Sequence, residues 1–276
     1  SKSAPLMSSC NPPVSVVPRR VWQSGNVVLS DDKVANETPI AMVYNGISHV
    51  VMMATPTDLE DFAVGFSLSE GIINSTKQLL DFEEVRTEKG IEVHATISAQ
   101  AFAGLKERRR NLVGRTGCGL CGAESLEQAI PLPNSISSSL QVSHEGLQRS
   151  INTMSQWQEL QSITGAVHGA AWCNVQGSIL LVREDVGRHN ALDKLLGAMA
   201  RKGCSSDGFV LVTSRASYEM VSKVASANIG LLAAVSAPTS LAIELAQKSG
   251  LTLVGFSRPD RHVIYSNEQR LVSEIL

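Results

Sequence analysis

The sequence has no long apolar run. Nothing in its 276 residues approaches the roughly 18 consecutive apolar residues that a membrane-spanning helix needs, so no membrane association is expected. It has no basic excess: 24 lysines and arginines stand against 26 aspartates and glutamates, a formal charge of −2. A general nucleic-acid binder needs a surplus of positive charge to meet a phosphate backbone, so no nucleic-acid partner is expected. Any phosphate-bearing ligand must be met by a local cluster of positive groups. The opening twenty residues, "SKSAPLMSSCNPPVSVVPRR", lack the apolar core of a secretory signal, and no P-loop is present. Cysteine is sparse. Five are spread unevenly, Cys10, Cys118, Cys121, Cys173 and Cys204, and an odd, scattered set is not a disulfide framework. That usage suits a reducing compartment, and a cytoplasmic protein is expected.

What is present divides the chain. Residues 1–24 are rich in Pro and Ser and read as a disordered N-terminal segment. Residues 25–130 read as a smaller α+β domain. Within it, "PIAMVY" and "ISHVVMM" are apolar strands joined by Asn45-Gly46, a dipeptide that favours the type I′ turn of a hairpin. A helix follows, with Leu59, Phe62, Ala63 and Phe66 at helical spacing, a Thr57/Glu60 capping box and Gly71 at its end. "IEVHATI" (91–97) alternates as a half-buried strand does. Residues 131–144, with "PLPNSISSSLQ", read as a linker. Residues 145–276 alternate short apolar strands with amphipathic helices, the pattern of a three-layer α/β sandwich. Its strands are "GAVHGAAWC", "SILLVRED", "GFVLVTS", "LLAAVSAP" and "LTLVGFSR". The helix "GRHNALDKLLGAMA" carries Leu192, Leu195, Leu196 and Met199 on one face.

Sites in such folds sit where strand ends meet helix N-termini, whose unpaired N–H groups attract phosphate. Arg188, His189, Thr213, Ser214 and Arg215 stand at such ends. The stretch "GFSRPDR" (255–261) places Phe256 near two arginines three apart, Arg258 and Arg261, an aromatic to stack on a base and forks for phosphate oxygens. The bland account is a pair of solvated arginines on a turn. His168, in "TGAVHGAAW", has small neighbours that leave room for a ligand. A satisfied core histidine is the competing account. His49 and His94 read as structural or exposed.

One pair of cysteines is arranged for chemistry. Cys118 and Cys121 lie in "GRTGCGLCG", after the basic run "KERRR". Three accounts stand. A structural zinc site needs four ligands, and no second Cys-x-x-Cys follows. A redox dithiol opens a helix directly after a strand, whereas this pair is wrapped in glycines. A persulfide carrier needs a thiolate favoured by nearby positive charge, which Arg108, Arg109, Arg110 and Arg115 could supply, on a segment able to reach donor and acceptor.

The stretches "VYNGISHVVMMATPTDLEDFAVGFSLSEGII", "GRTGCGLCG", "TGAVHGAAW", "REDVGRHNALDKLLG", "TSRASYEMVSK" and "LTLVGFSRPDR", in that order, resemble the formate dehydrogenase accessory sulfurtransferases, the FdhD/NarQ family. The resemblance implies a sulfurtransferase that accepts persulfide sulfur from a cysteine desulfurase. It would pass the sulfur to the molybdenum bis(molybdopterin guanine dinucleotide) destined for the formate dehydrogenase apoenzyme. Cys118 and Cys121 would handle sulfur, with Cys118 the main carrier. The loop Phe256, Ser257, Arg258, Pro259, Asp260, Arg261, with His168, Thr213, Ser214 and Arg215, would hold the guanine nucleotide part, where a GDP-like nucleotide could also sit. A homodimer is implied, as is a cytidine deaminase-like larger domain. Unlike deaminases, the helix starts "GRHNALDK" and "SRASYEM" carry no cysteine, and no Glu follows His189 by two, so neither zinc nor deamination is expected. "RPDR" departs from relatives with Gly in this loop, and Asp260 adds a negative charge there. Two rival functions remain: a non-enzymatic molybdenum cofactor chaperone, indifferent to Cys118 and Cys121, and a dithiol oxidoreductase, indifferent to Arg258.

Overall fold

The structure, a computed structural model, describes residues 10–113 and 132–273. It opens with a two-stranded ribbon, β1 (Val14–Gln23) and β2 (Asn26–Ala35). The sequence suggests disorder to residue 24, but ten unbroken cross-strand pairs run from Val14–Ala35 to Gln23–Asn26. Prolines and serines mask the β-branched content here, and Ser24 and Gly25, at φ 51° and 86°, make the turn. Pro18 is tolerated because β1 is an edge strand.

The first core lies under a four-stranded sheet. Strands β3 (Thr38–Tyr44) and β4 (Ile47–Ala54) form the expected hairpin, with Asn45 and Gly46 at φ 47° and 81°. Helix α1 (Leu59–Ser69), strands β5 (Leu79–Thr87) and β6 (Gly90–Ile97), and helix α2 (Ala99–Val113) complete it. The sheet order is β4-β3-β6-β5. Leu59, Phe62, Ala63 and Phe66 pack on Ile40, Met42, Ile91 and Val93. The capping box does not form. Asp58 occupies the N-cap in a left-handed conformation (φ 52°), without a side-chain cap bond; that geometry turns the chain into α1 without the extended cap the box requires.

Residues 132–141 carry no regular structure, yet they dock on the second half: Ile136 N donates to Ser249 O (2.9 Å), and Ser138 O accepts from Arg270 (3.1 Å). Next come β7 (Val142–Ser143), α3 (His144–Thr153), α4 (Glu159–Thr164), β8 (His168–Asn174), β9 (Ile179–Asp185), α5 (Arg188–Lys202) and β10 (Gly208–Val212). The chain continues through α6 (Tyr218–Ser226), β11 (Leu231–Ala234), α7 (Ser240–Ser249), β12 (Thr252–Arg258), β13 (Arg261–Ser266) and β14 (Leu271–Val272). A six-stranded mixed sheet runs β13-β12-β11-β10-β8-β9, with β10, β11 and β12 parallel. Alternation assigns its faces. Val210 and Val212 meet α5, α6 and α7 through Leu192, Val221 and Leu245. Phe209 and Leu211 meet Leu147 and Met154 on the opposite side. This is the three-layer α/β arrangement that strands buried on both faces call for.

The two sheets are joined where α1 crosses α5. A Cβ on Gly65 would lie 1.6 Å from Asp193 O, and one on Gly197 would lie 1.8 Å from Asp61 O. The backbones therefore touch at the crossing. Charged groups hold the same seam: Asp61 of α1 pairs across it with Arg183 (2.9 Å) and Arg201 (2.8 Å), while two buried pairs within the second half, Asp185–Lys194 at 2.8 Å and Asp193–Lys223 at 3.0 Å, hydrogen-bond Thr55 and Ser69 of the first. No helix among the described residues is long and apolar enough to cross a membrane.

Candidate functional site

The parallel strands β10, β11 and β12 end on one edge of the large sheet, and β8, antiparallel to β10, begins there. A cavity of about 640 Å³ opens at this edge, lined by His168, Thr213, Val235, Ser257, Arg258 and Pro259, with Gln158 and Gln161 before β8. This is the position that the carboxyl ends of strands create in open α/β sheets.

Each lining group has a local cause. Thr213 follows β10; its N–H donates to Gly169 O and its Oγ1 accepts from Gly169 N, both at 3.0 Å. The Thr213 hydroxyl also lies 3.4 Å from His168 Nδ1. Burial, and next the Arg188 guanidinium, push the His168 pKa down, so at neutral pH it presents an uncharged ring.

Ser257 and Arg258 are set by a β-bulge. The β12–β13 register breaks between Gly255 and Arg258, and Phe256 takes a left-handed φ of 46°, its N–H donating to Ser236 O at 3.1 Å. Gly255 is required there, since a Cβ would meet Pro238 and Tyr265 at 2.8 Å. The irregularity leaves Ser257 fully buried, its Oγ without a hydrogen-bond partner among the described residues. Such a hydroxyl costs about 1–3 kcal/mol, which a polar ligand in the cavity would relieve. Arg258 is exposed, and among the described residues its guanidinium makes one hydrogen bond, Nε to Val235 O at 3.4 Å.

The cavity thus gathers His168, Thr213, Ser257, Arg258 and Pro259. The other expected ligand residues lie elsewhere. Phe256 is half-buried, and Ser214 is buried with its hydroxyl on Arg215 O (3.0 Å). Arg215 is exposed just before α6. Asp260 and Arg261 line a neighbouring opening of about 770 Å³ together with His144, Gln148, Arg149 and His262. At the helix starts, His189 Nε2 stands 2.7 Å from a Glu219 carboxylate oxygen. Among the described residues no group of three or more His, Cys, Asp or Glu side chains is arranged to hold a metal ion.

The α3–α4 region that supplies Gln148, Gln158 and Gln161 escapes the sequence reading. A signal exists: Ser143 caps α3 by accepting from Gly146 N (3.0 Å), ahead of the apolar spacing Leu147, Ile151, Met154.

Cys118 and Cys121 lie outside the described residues, as does Arg115. The basic run before them is partly committed. Arg108 donates to Glu70 O (2.8 Å) and Gly71 O (3.0 Å) at the C-terminus of α1, and Arg109 donates to Ser48 O. Gly71, and Asn134 where the described chain resumes, both line a second cavity of about 530 Å³ between the two halves. It also carries Ser69, Cys204 and Lys223. Cys204 and Cys10 are exposed thiols, whereas Cys173 is buried and its thiol is pushed up to about 12 by burial.

These observations define a class: an α/β protein built on a four-stranded and a six-stranded sheet, with a strand-end cavity on the larger one. Residues 35–272 match the FdhD/NarQ family, and the chain belongs to it. It is 56% identical over 254 residues to the sulfur carrier protein FdhD of Cupriavidus necator, covering 92% of this chain and 88% of that one. With the sulfur carrier protein FdhD of Xanthomonas euvesicatoria it is 49% identical over 270 residues, covering 98% and 96%. A crystal structure of a candidate formate dehydrogenase accessory protein from Desulfotalea psychrophila superposes with a TM-score of 0.71 at 26% identity, over 95% of this chain and all of that one.

Proposed function

We propose that this protein is a sulfur carrier in formate dehydrogenase maturation. It takes persulfide sulfur from a cysteine desulfurase and delivers it to the molybdenum bis(molybdopterin guanine dinucleotide) substrate, acting in the cytoplasm as a homodimer. Membership of a family whose relatives are named sulfur carrier proteins supports the carrier role. The single observation that carries the nucleotide part is the strand-end cavity, where an unpaired buried hydroxyl, a neutral imidazole and an exposed guanidinium converge.

In loading, the Cys118 thiolate attacks the terminal sulfur of the donor persulfide. The donor sulfur–sulfur bond breaks, the donor cysteine leaves as thiolate, and Cys118 becomes the persulfide. In delivery, the Cys121 thiolate attacks Cys118 Sγ and releases the outer sulfur as sulfide toward the substrate. The Cys118–Cys121 disulfide so formed carries the two electrons of the balance, and a cellular thiol reduces it before the next turn. In the cavity, Arg258 would fork onto phosphate oxygens and Ser257 would donate to the ligand.

The loading step is checked by intact-protein mass spectrometry after incubation with a cysteine desulfurase and cysteine. Wild type is expected to gain one or more sulfur masses and Cys118→Ala to gain none. No sulfur adduct on wild type would favour a chaperone without sulfur chemistry. The nucleotide part is checked separately, by titrating GDP calorimetrically. Arg258→Ala is expected to bind about 10–100-fold more weakly, the loss of charge-assisted hydrogen bonds of about 1.5–3 kcal/mol. Equal affinity would remove Arg258 from the site.

A further inference from the structure

The turn carrying Arg258 is held from behind. β12 and β13 join through Pro259 and Asp260, with Arg258 paired to Arg261 and Asp260 at a left-handed φ of 61°. The turn's residues are exposed and little is buried to fix it, yet a fork that must meet phosphate oxygens gains affinity from being fixed beforehand.

Gln148 of α3 supplies the fixing contacts. Asp260 N donates to Gln148 Oε1 at 2.9 Å, which sets the orientation of the amide. Gln148 Nε2 then faces the other way and donates to Arg258 O at 3.1 Å and to His262 Nδ1 at 2.9 Å. The protonation pattern behind it follows without choice. His262 Nδ1 accepts, so its hydrogen sits on Nε2. That hydrogen faces His144 Nδ1, 2.9 Å away, the two rings nearly parallel at 16°. The chain of donors Gln148, His262, His144 closes only when both imidazoles are neutral. A proton added to His262 Nδ1 would oppose the Gln148 N–H, and one added to His144 Nδ1 would oppose the His262 N–H.

We infer that Gln148 is the positioning residue for the Arg258 turn, with the His262–His144 pair as its backing. The inference rests on the reading of the neighbouring cavity as a nucleotide site. Neither histidine lines that cavity; both line the opening on the other side of the turn. The charged groups around the pair are Glu145 and Arg149 of α3, and Arg258, Asp260 and Arg261 of the turn and the start of β13. Burial first, then His144, lowers the His262 pKa, while Glu145 raises it. A histidine held below its usual value favours the neutral form in the folded state. Its contribution is therefore present above the ordinary imidazole pKa of about 6.5 and is lost as pH falls below it.

GDP affinity of the full chain should be measured calorimetrically from pH 8 to pH 5 for wild type, Gln148→Ala and Gln148→Glu. Comparing variant with wild type at each pH cancels the ionisation of the ligand's own phosphate. At pH 8 the alanine variant is expected to bind about tenfold more weakly, and this gap should close as the solution is acidified. Gln148→Glu still accepts from Asp260 N, but it pairs with His262 only when Nδ1 carries a proton. It is expected to be as weak as the alanine variant at pH 8 and to approach wild type in acid. A role limited to stabilising α3 would give ratios that do not move with pH, and that result overturns the inference. A wild type that binds GDP while Gln148→Ala matches it at every pH overturns the positioning role alone. A wild type that binds no GDP overturns the nucleotide reading, and this role with it.

Discussion

Gly197→Ala is expected to lower the stability of the protein by about 2–4 kcal/mol, measured by urea unfolding, and Gly65→Ala to do the same. The direction opposes helix propensity. An alanine in the middle of a helix is ordinarily favoured over glycine by about 1 kcal/mol. At these two positions the added methyl meets the backbone of the other helix, at 1.8 Å from Asp61 O for residue 197 and 1.6 Å from Asp193 O for residue 65. No rotamer can relieve a contact made by Cβ itself, so α1 and α5 must part. Parting them stretches the Asp61–Arg183 and Asp61–Arg201 pairs and the Ser69 hydroxyl's bond to Asp193, all of which cross the seam, and these groups are buried on at least one side. Gly104→Ala is the internal control. Gly104 sits in α2 with nothing within 4 Å of an added Cβ, so the substitution is expected to stabilise by about 0.5–1 kcal/mol. If Gly197→Ala moved the unfolding midpoint in the same direction as Gly104→Ala, the close helix crossing would not exist in solution.

The contrast between these glycines shows what a sequence can and cannot disclose. All three stand within helical patterns, and spacing alone gives no reason to rank them. The α/β alternation of the second half was legible because strands buried on both faces read as apolar runs such as Phe209–Val212, bounded by glycine and polar turns. The Asn45-Gly46 hairpin was legible because the turn chemistry is local. The ribbon at Val14–Ala35 was not, because its partner strand, not its composition, orders it.

The site divides in the same way. Arg258 and His168 stood out as residue types in suggestive surroundings, and the cavity does contain both. Phe256 and Asp260 were read as parts of one loop facing one ligand. The bulge at Gly255–Arg258 and two left-handed residues separate them from Ser257 and Arg258, and a register break of that kind has no signature in alternation. Gln148 was invisible because its role depends on a turn 112 residues away along the chain.

Lys194→Met is expected to cost about 3–5 kcal/mol, and Asp185→Asn at least as much. The two charges lie 2.8 Å apart and neither side chain is exposed. Asp185 would not be left wholly bare by the lysine substitution, because it also accepts from Thr55 N (2.9 Å), Gly187 N (2.7 Å) and Asn190 Nδ2 (3.2 Å). Lys194 is less well provided, with Thr55 O (2.9 Å) as its other acceptor among the described residues. The asparagine variant therefore leaves a buried ammonium with neutral oxygens alone, Thr55 O and the new amide oxygen, which is the worse of the two cases. The double variant Lys194→Met/Asp185→Leu removes both charges. It is expected to be less destabilised than the sum of the singles, with a coupling of about 1–3 kcal/mol in a double-mutant cycle. The same pair reaches the cavity through the backbone. Asp185 Oδ2 holds Gly187 N and Asn190 Nδ2 at the start of α5, and the next residue, Arg188, is the guanidinium that helps keep His168 neutral. Loosening that turn in Lys194→Met should weaken GDP binding as well as folding, although residue 194 lines none of the three cavities described. Unaltered stability would mean that the two charges are not buried together in solution. Altered stability with unaltered GDP affinity would mean that the α5 turn is held by its other contacts, leaving Asp185–Lys194 a buried anchor for Thr55 of the first half and nothing more.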